Sequence, residues 1–96
     1  MGPIERQIRD DAAASLVEIA DLDIRPMFSG YGFYVDGLLV AAAWDEAFRL
    51  RFRENGRWIY KPVEPAIVTN PEILVKLVQD HTAKLSREPD ARRHRR

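Results

Sequence analysis

The residues of this sequence that could do chemistry are few and scattered. There are two histidines, His81 and His94, and no cysteine, so the chain lacks a thiolate nucleophile and the ligands of a zinc or iron site. The acidic residues stand singly, or as neighbours at predicted turns and helix ends, which suits capping better than acid–base catalysis. No serine is paired with a histidine in a triad-like pattern. We therefore expect no enzymatic activity, no metal and no cofactor.

Arginines interleaved with aromatic residues form the most informative pattern. Residues 48–53 read Phe-Arg-Leu-Arg-Phe-Arg, an alternation that predicts a strand with one buried and one polar face. Asn55-Gly56 is a signal for a two-residue hairpin turn, and such a turn places Arg51 opposite Tyr60 and Arg53 opposite Trp58. The polar face of this hairpin is the candidate interaction surface: Arg49, Arg51, Arg53, Trp58 and Tyr60.

This surface has two interpretations. Arginines and aromatic rings on a sheet resemble a stacking platform for single-stranded nucleic acid, with an arginine-rich tail to contact phosphates. Alternatively, they are cross-strand pairs on a face that meets solvent or a second subunit. The second interpretation is favoured because residues 1–86 hold ten basic and thirteen acidic residues, a balance of −3.

The periodicity of the chain predicts the elements that position this surface. Apolar residues spaced for a helix cover 3–21, beginning at Pro3, and an Asn70-Pro71 start predicts a final helix to about Ser86. His81 lies on the apolar stripe of that helix, as a packing residue. Between the helices the period is two, with a glycine corner at 29–32, turns at 36–37, 45–46 and 55–56, and strands at 24–28, 33–35, 38–44, 48–53 and 57–61. Pro26 places the first strand at a sheet edge.

The predicted fold class is therefore α+β, an antiparallel meander of four to five strands with an N-terminal and a C-terminal helix packed on one face. The domain spans 1–86. Residues 87–96 hold five basic and two acidic residues and no large apolar one, and we expect them to form a disordered basic tail.

The strand at 38–44 is apolar on both faces. A two-residue turn at 45–46 assigns its side chains to faces, and a slip of one residue would reverse the assignment. Two apolar faces indicate that the second face is covered, so a homodimer or another protein partner is expected. On this register Leu38, Val40, Ala42 and Trp44 join the arginine face, and Leu39, Ala41 and Ala43 join the core.

Composition sets the broad class of the protein. The chain has 96 residues and a formal net charge of zero, which predicts one globular domain and argues against a strongly basic nucleic-acid binder. No apolar run approaches the ~18 residues of a membrane span, and the charged N-terminus does not resemble a signal peptide. We expect a cytoplasmic protein that does not bind membranes.

Residues 27–37, Met-Phe-Ser-Gly-Tyr-Gly-Phe-Tyr-Val-Asp-Gly, resemble the N-terminal domain of the TfoX (Sxy) family of bacterial competence regulators. That family typically has a Met-Phe-Gly-Gly run, a short apolar strand and an Asp-Gly turn; here Ser29 replaces a glycine, and the segment between Phe52 and Trp58 is shorter than usual. The preceding helix and the ending from Trp58 into the final helix match as well. The motif residues are Met27, Phe28, Gly30, Tyr31, Gly32, Asp36 and Gly37.

The resemblance implies an α+β fold and a regulatory or adaptor role in the transcription of DNA-uptake genes, and it supplies no catalytic residues. Together with the residue patterns it predicts a non-enzymatic module that acts through protein–protein contacts. The alternative is direct nucleic-acid binding by the candidate interaction surface and the basic tail.

Overall fold

The computed structural model describes residues 2–92 and has an α+β fold, as predicted. Five strands form one antiparallel sheet in the sequential order β1-β2-β3-β4-β5, and the helices pack on one of its faces. We call the opposite face of the sheet the second face. The elements are α1 (Pro3–Ser15), β1 (Leu22–Met27), β2 (Gly30–Val35), β3 (Leu38–Trp44), β4 (Ala47–Glu54), β5 (Arg57–Val63), α2 (Pro65–Val68) and α3 (Pro71–Leu85).

The two long helices begin where the sequence predicts. Pro3 opens α1, and the Asn70 side chain caps α3 by accepting a hydrogen bond from the Ile73 amide at 3.3 Å. The helix α1 is shorter than predicted, because after Ser15 the chain turns to bury Leu16 and Ile19 before it enters β1. No helix within residues 2–92 is long and apolar enough to cross a membrane.

The core lies between the helices and one face of the sheet. Leu16 of the α1 end and Leu74 and Val78 of α3 are fully buried there. Phe33 and Phe48 meet edge to face, with ring centroids 5.2 Å apart. The core thus forms on the side that the predicted apolar stripes face.

The prediction of a glycine corner at 29–32 is wrong. Phe28 and Ser29 form a two-residue turn, and Gly30 already pairs with Met27 as the first residue of β2. A Cβ atom on Gly30 would lie 2.0 Å from the Ala43 carbonyl oxygen. The glycine therefore permits a close approach of two strands rather than a flexible bend. β1 is the edge strand that Pro26 predicts.

Register was predicted correctly at two turns and incorrectly along half of β3. The pairs Phe52–Ile59 and Ala42–Arg49 confirm two-residue turns at 55–56 and 45–46. Between Ala41 and Leu39, however, β3 contains an extra residue relative to β2, a β-bulge. The bulge shifts the alternation by one residue, so Leu38 and Val40 join the core, contrary to prediction, and Leu39, predicted in the core, lies opposite Tyr34 outside the core cluster.

Residues 87–92 pack against the sheet, so the prediction that they are disordered is wrong. Ala91 is 2% exposed and belongs to the core cluster. Asp90 pairs with Arg53 at 3.0 Å, and Arg92 Nη1 donates to the Asp36 carbonyl at 2.8 Å. A small apolar residue and specific hydrogen bonds hold this segment, and composition does not reveal either. The domain therefore extends to at least Arg92; residues 93–96 of the predicted tail lie outside the described residues.

Candidate functional site

The five residues of the candidate interaction surface lie on the second face, as predicted. The β4–β5 register places Arg51 opposite Tyr60 and Arg53 opposite Trp58, and Arg49 follows the same alternation. Arg51 is buried, whereas the other four are partly exposed.

Arg51 is buried, with 2% of its surface exposed. Its guanidinium stacks on Trp58, 3.8 Å from the ring centroid, and its Nη1 donates to the carbonyl oxygens of Leu39 at 3.0 Å and Ala91 at 2.9 Å. Burial lowers the pKa of Arg51, while Tyr60 and Asp90 act to raise it. The residue that was predicted to meet a partner instead ties β3, β4 and the C-terminal segment together.

The other two arginines are also bound within the chain. Arg49 lies over the Trp44 ring, and its Nε and Nη2 donate to the carbonyl oxygens of Trp44 at 2.9 Å and Asp45 at 3.1 Å. Arg53 lies over Trp58 and pairs with Asp90. The guanidinium groups are therefore occupied by backbone carbonyls and a carboxylate, which limits what they can offer to a phosphate.

At the other end of the second face, an open aromatic hollow of about 100 Å³ is present. The rings of Trp44 and Tyr60 meet edge to face at 6.2 Å, and Trp44 remains 39% exposed. The aromatic hollow is formed by Met27, Phe28, Ala42, Trp44 and Tyr60. Of these residues, only Tyr60 belongs to the candidate interaction surface.

Phe28 is the most unusual residue of the aromatic hollow. It is 80% exposed, and its φ of 53° lies in the left-handed region, which bulky side chains rarely adopt. The sequence identifies Phe28 as a motif residue and indicates no role for it in a surface. The Phe28-Ser29 pair lacks the glycine or asparagine that usually marks such a turn, so no turn signal drew attention to it.

The remaining motif residues have structural positions. Gly30 and Gly32 lie in buried β2, where a Cβ atom on Gly32 would be 3.1 Å from a Leu39 methyl carbon. Asp36 and Gly37 form the β2–β3 turn with positive φ angles of 51° and 78°. Tyr31 is buried with the Arg9 guanidinium 4.7 Å from its ring centroid. Met27 and Phe28 thus supply the motif's contribution to an open surface.

His81 has the packing role that the sequence predicts. It is buried against Phe52, with ring centroids 4.4 Å apart, and its Nε2 donates to the Arg51 carbonyl oxygen. Burial lowers the pKa of His81, an effect that the Arg51 carbonyl opposes and Lys84 reinforces. Residues 2–92 contain no group of three or more His, Cys, Asp or Glu placed to hold a metal ion, and His94 lies outside this range.

Comparison with known proteins finds no match among protein-family models, curated proteins or solved structures. The resemblance to the TfoX N-terminal domain therefore stays a prediction drawn from the motif residues.

Proposed function

We propose that this protein is a non-enzymatic binding module that pairs with a second copy of itself through the aromatic hollow. The observation that carries the proposal is Phe28, a large aromatic side chain that is exposed in a strained turn. A left-handed φ at a bulky residue costs on the order of 1–3 kcal/mol. Because folding would proceed more favourably with glycine or asparagine there, Phe28 is best explained by a contact that the isolated chain does not make.

The geometry of the aromatic hollow suits a symmetric pair. In a twofold contact the same patch meets itself, so a projecting group and the recess that receives it must lie side by side. Phe28 projects next to the recess formed with Trp44 and Tyr60. Aromatic residues and methionine are also enriched in protein interfaces, so the Phe28 of each copy is placed to enter the recess of the other.

Charge and the sheet edges support a face-to-face arrangement. Two ion pairs flank the hollow, Asp23–Arg25 and Asp45–Arg49. Because each pair holds one positive and one negative charge, two copies would meet without a large excess of either charge. Both edge strands contain a proline, Pro26 in β1 and Pro62 in β5, and proline hinders the addition of a strand at an edge.

The biological role that we propose is regulatory or adaptor-like. The resemblance of residues 27–37 to the TfoX N-terminal domain supports a place in transcription or competence regulation, and the paired module would present its remaining surface to other proteins. Direct nucleic-acid binding by the arginine face is the weaker proposal, because Arg51 is buried and Arg49 and Arg53 are bound within the chain.

Sedimentation velocity over a wide concentration range tests the pairing. We expect the weight-average mass of the full chain to rise from that of one copy towards that of two, and Phe28→Asn to remain a monomer at every concentration. Val17→Asn is the matched control, since Val17 is also an exposed apolar residue, at 76%, but lies outside the hollow. The control should associate like the unaltered chain.

A monomer at all concentrations, or equal association of Phe28→Asn and the unaltered chain, would contradict the pairing. A titration of labelled single-stranded DNA followed by anisotropy distinguishes the weaker proposal. Binding that falls with salt and weakens further in Trp58→Ala would replace our proposal with nucleic-acid recognition.

A further inference from the structure

A second site lies on the helix side of the molecule, where a groove of about 390 Å³ opens between α1 and the β5–α2 connection. We propose that this groove binds an amphiphilic organic cation, that is, a small molecule with an apolar body and a protonated amine. Its volume falls within the range of small-molecule sites, ~300–1,000 Å³. It is lined by Ile8, Asp11, Glu46, Ala47, Phe48, Pro62, Val63, Glu64, Pro65, Val68 and Thr69.

The walls of the groove are fixed by two hydrogen bonds between distant parts of the chain. Glu5 Oε2 accepts from the Glu46 amide at 2.8 Å and joins the start of α1 to the β3–β4 turn. Buried Ser15 Oγ donates to the Val68 carbonyl at 2.7 Å and joins the end of α1 to α2. The groove is therefore held open before a ligand arrives, which lowers the entropic cost of binding.

The apolar residues of the lining indicate that the body of the ligand is apolar. Seven of the lining residues are aliphatic, aromatic or proline, and Phe48 and Val63 are cross-strand partners of β4 and β5. A hydrocarbon or aromatic body placed there would remove apolar surface from water, the usual driving force in such sites.

The charged residues of the lining determine the sign of the charge that the ligand should carry. Three acidic residues stand around the groove, Asp11 of α1, Glu46 of the β3–β4 turn and Glu64 of the β5–α2 connection, and no lysine or arginine lines it. Within residues 2–92 none of the three forms an ion pair, although Asp11 accepts a hydrogen bond from the neutral Gln7 amide. The groove thus combines an apolar floor with uncompensated negative charge, which favours a cation and disfavours an anion of equal shape.

Three probes with eight carbon atoms each separate these contributions: octylamine, octanol and octanoate. Each is titrated into the ¹⁵N-labelled full chain at neutral pH, and amide shifts are followed by NMR. We expect saturable shifts at Ala47, Val63 and Val68 with octylamine, an affinity several-fold weaker for octanol, and the weakest response for octanoate. Raising the salt concentration should narrow the difference between octylamine and octanol.

Removing two carboxylates tests the assignment of charge. The double variant Asp11→Asn with Glu64→Gln should weaken the affinity for octylamine roughly three- to tenfold and leave the affinity for octanol unchanged. This is the scale of partly exposed charge pairs. Glu18→Gln with Glu72→Gln is the matched control, since both residues are exposed carboxylates outside the groove. Amide dispersion in the same spectra shows that each variant is folded.

Equal affinities for octylamine and octanoate, shifts that map away from the groove, or no saturable binding would overturn the proposal. The groove lies on the helix side of the sheet and the aromatic hollow on the second face, so these results are independent of whether two copies pair.

Discussion

Arg51 and Trp58 form a buried stack, with the guanidinium 3.8 Å from the ring centroid and Arg51 only 2% exposed. The charge is stabilised by the carbonyl oxygens of Leu39 and Ala91, so the pair belongs to the folded framework. A charge reversal at Arg51 would place an unpaired carboxylate among backbone carbonyls.

We therefore expect Arg51→Ala to destabilise the fold by about 3 kcal/mol, because two buried carbonyls lose their donor. Arg51→Lys should cost about 1–2 kcal/mol, since lysine keeps the charge but not the planar stack. Urea denaturation measures both. Arg53→Gln is the control: it contacts the same ring from a more exposed position and should cost less than about 1 kcal/mol. A loss below about 1 kcal/mol for Arg51→Ala, as expected of the control, would show that Arg51 is not structural.

The sequence predicts the sheet because its signals are local. The turns at 45–46 and 55–56 set the register of β3, β4 and β5, and periodicity separates helices from strands. The bulge beside Val40 and the folding back of residues 87–92 depend on long-range contacts, such as those of Arg51 with Leu39 and Ala91. Alternation within one strand carries no information about them.

The candidate site could be predicted only in part, again because the signals in the sequence are local. Residue types and the hairpin register placed five side chains on one face, which the structure bears out. Burial then separates Arg51, which is closed off, from the exposed Trp44 and Phe28. That separation depends on which segments fold over the sheet, and composition had assigned the covering segment to a disordered tail.

His81 should make stability depend on pH. Because burial lowers its pKa in the folded state, the unfolded chain takes up the proton first as pH falls through the ordinary value of 6.5. The contribution of His81 to the free energy of unfolding is therefore fully present above that pH. It declines as the pH falls towards the lower pKa of the folded state. Urea midpoints between pH 8 and pH 5.5, a span of roughly one unit or more either side of an ordinary histidine, measure the decline.

His81→Gln is the variant that isolates this effect, since glutamine can still donate to the Arg51 carbonyl but does not titrate. Its stability should change less over the same pH interval. The Glu5 pKa is also lowered, chiefly by the hydrogen bond from the Glu46 amide, but from an ordinary value of 4.5, so Glu5 acts below the interval. Identical slopes for the two proteins would assign the pH dependence to other groups.

Gly30 and Gly56 should respond differently to alanine. A Cβ atom on Gly30 would overlap the Ala43 carbonyl oxygen at 2.0 Å, whereas one on Gly56 meets no atom within 4 Å. Gly30→Ala should therefore cost more than about 3 kcal/mol, because two paired strands must separate. Gly56→Ala should cost about 1 kcal/mol, from its φ of 74° alone. Thermal denaturation compares the two, and a Gly30→Ala protein as stable as Gly56→Ala would contradict the close approach.

Phe28 and Asn55 allow a reciprocal test of strain, because both occupy the first position of a two-residue turn with nearly equal φ angles of 53° and 51°. Phe28→Asn should stabilise the monomeric fold by about 1 kcal/mol, since asparagine tolerates the left-handed region and an exposed ring loses little packing. Asn55→Phe should destabilise it by a similar amount. Chemical denaturation at low protein concentration keeps association out of the measurement. If Phe28→Asn lost stability there, the ring would be supporting its own fold, and the proposal that it serves a second copy would lose its main argument.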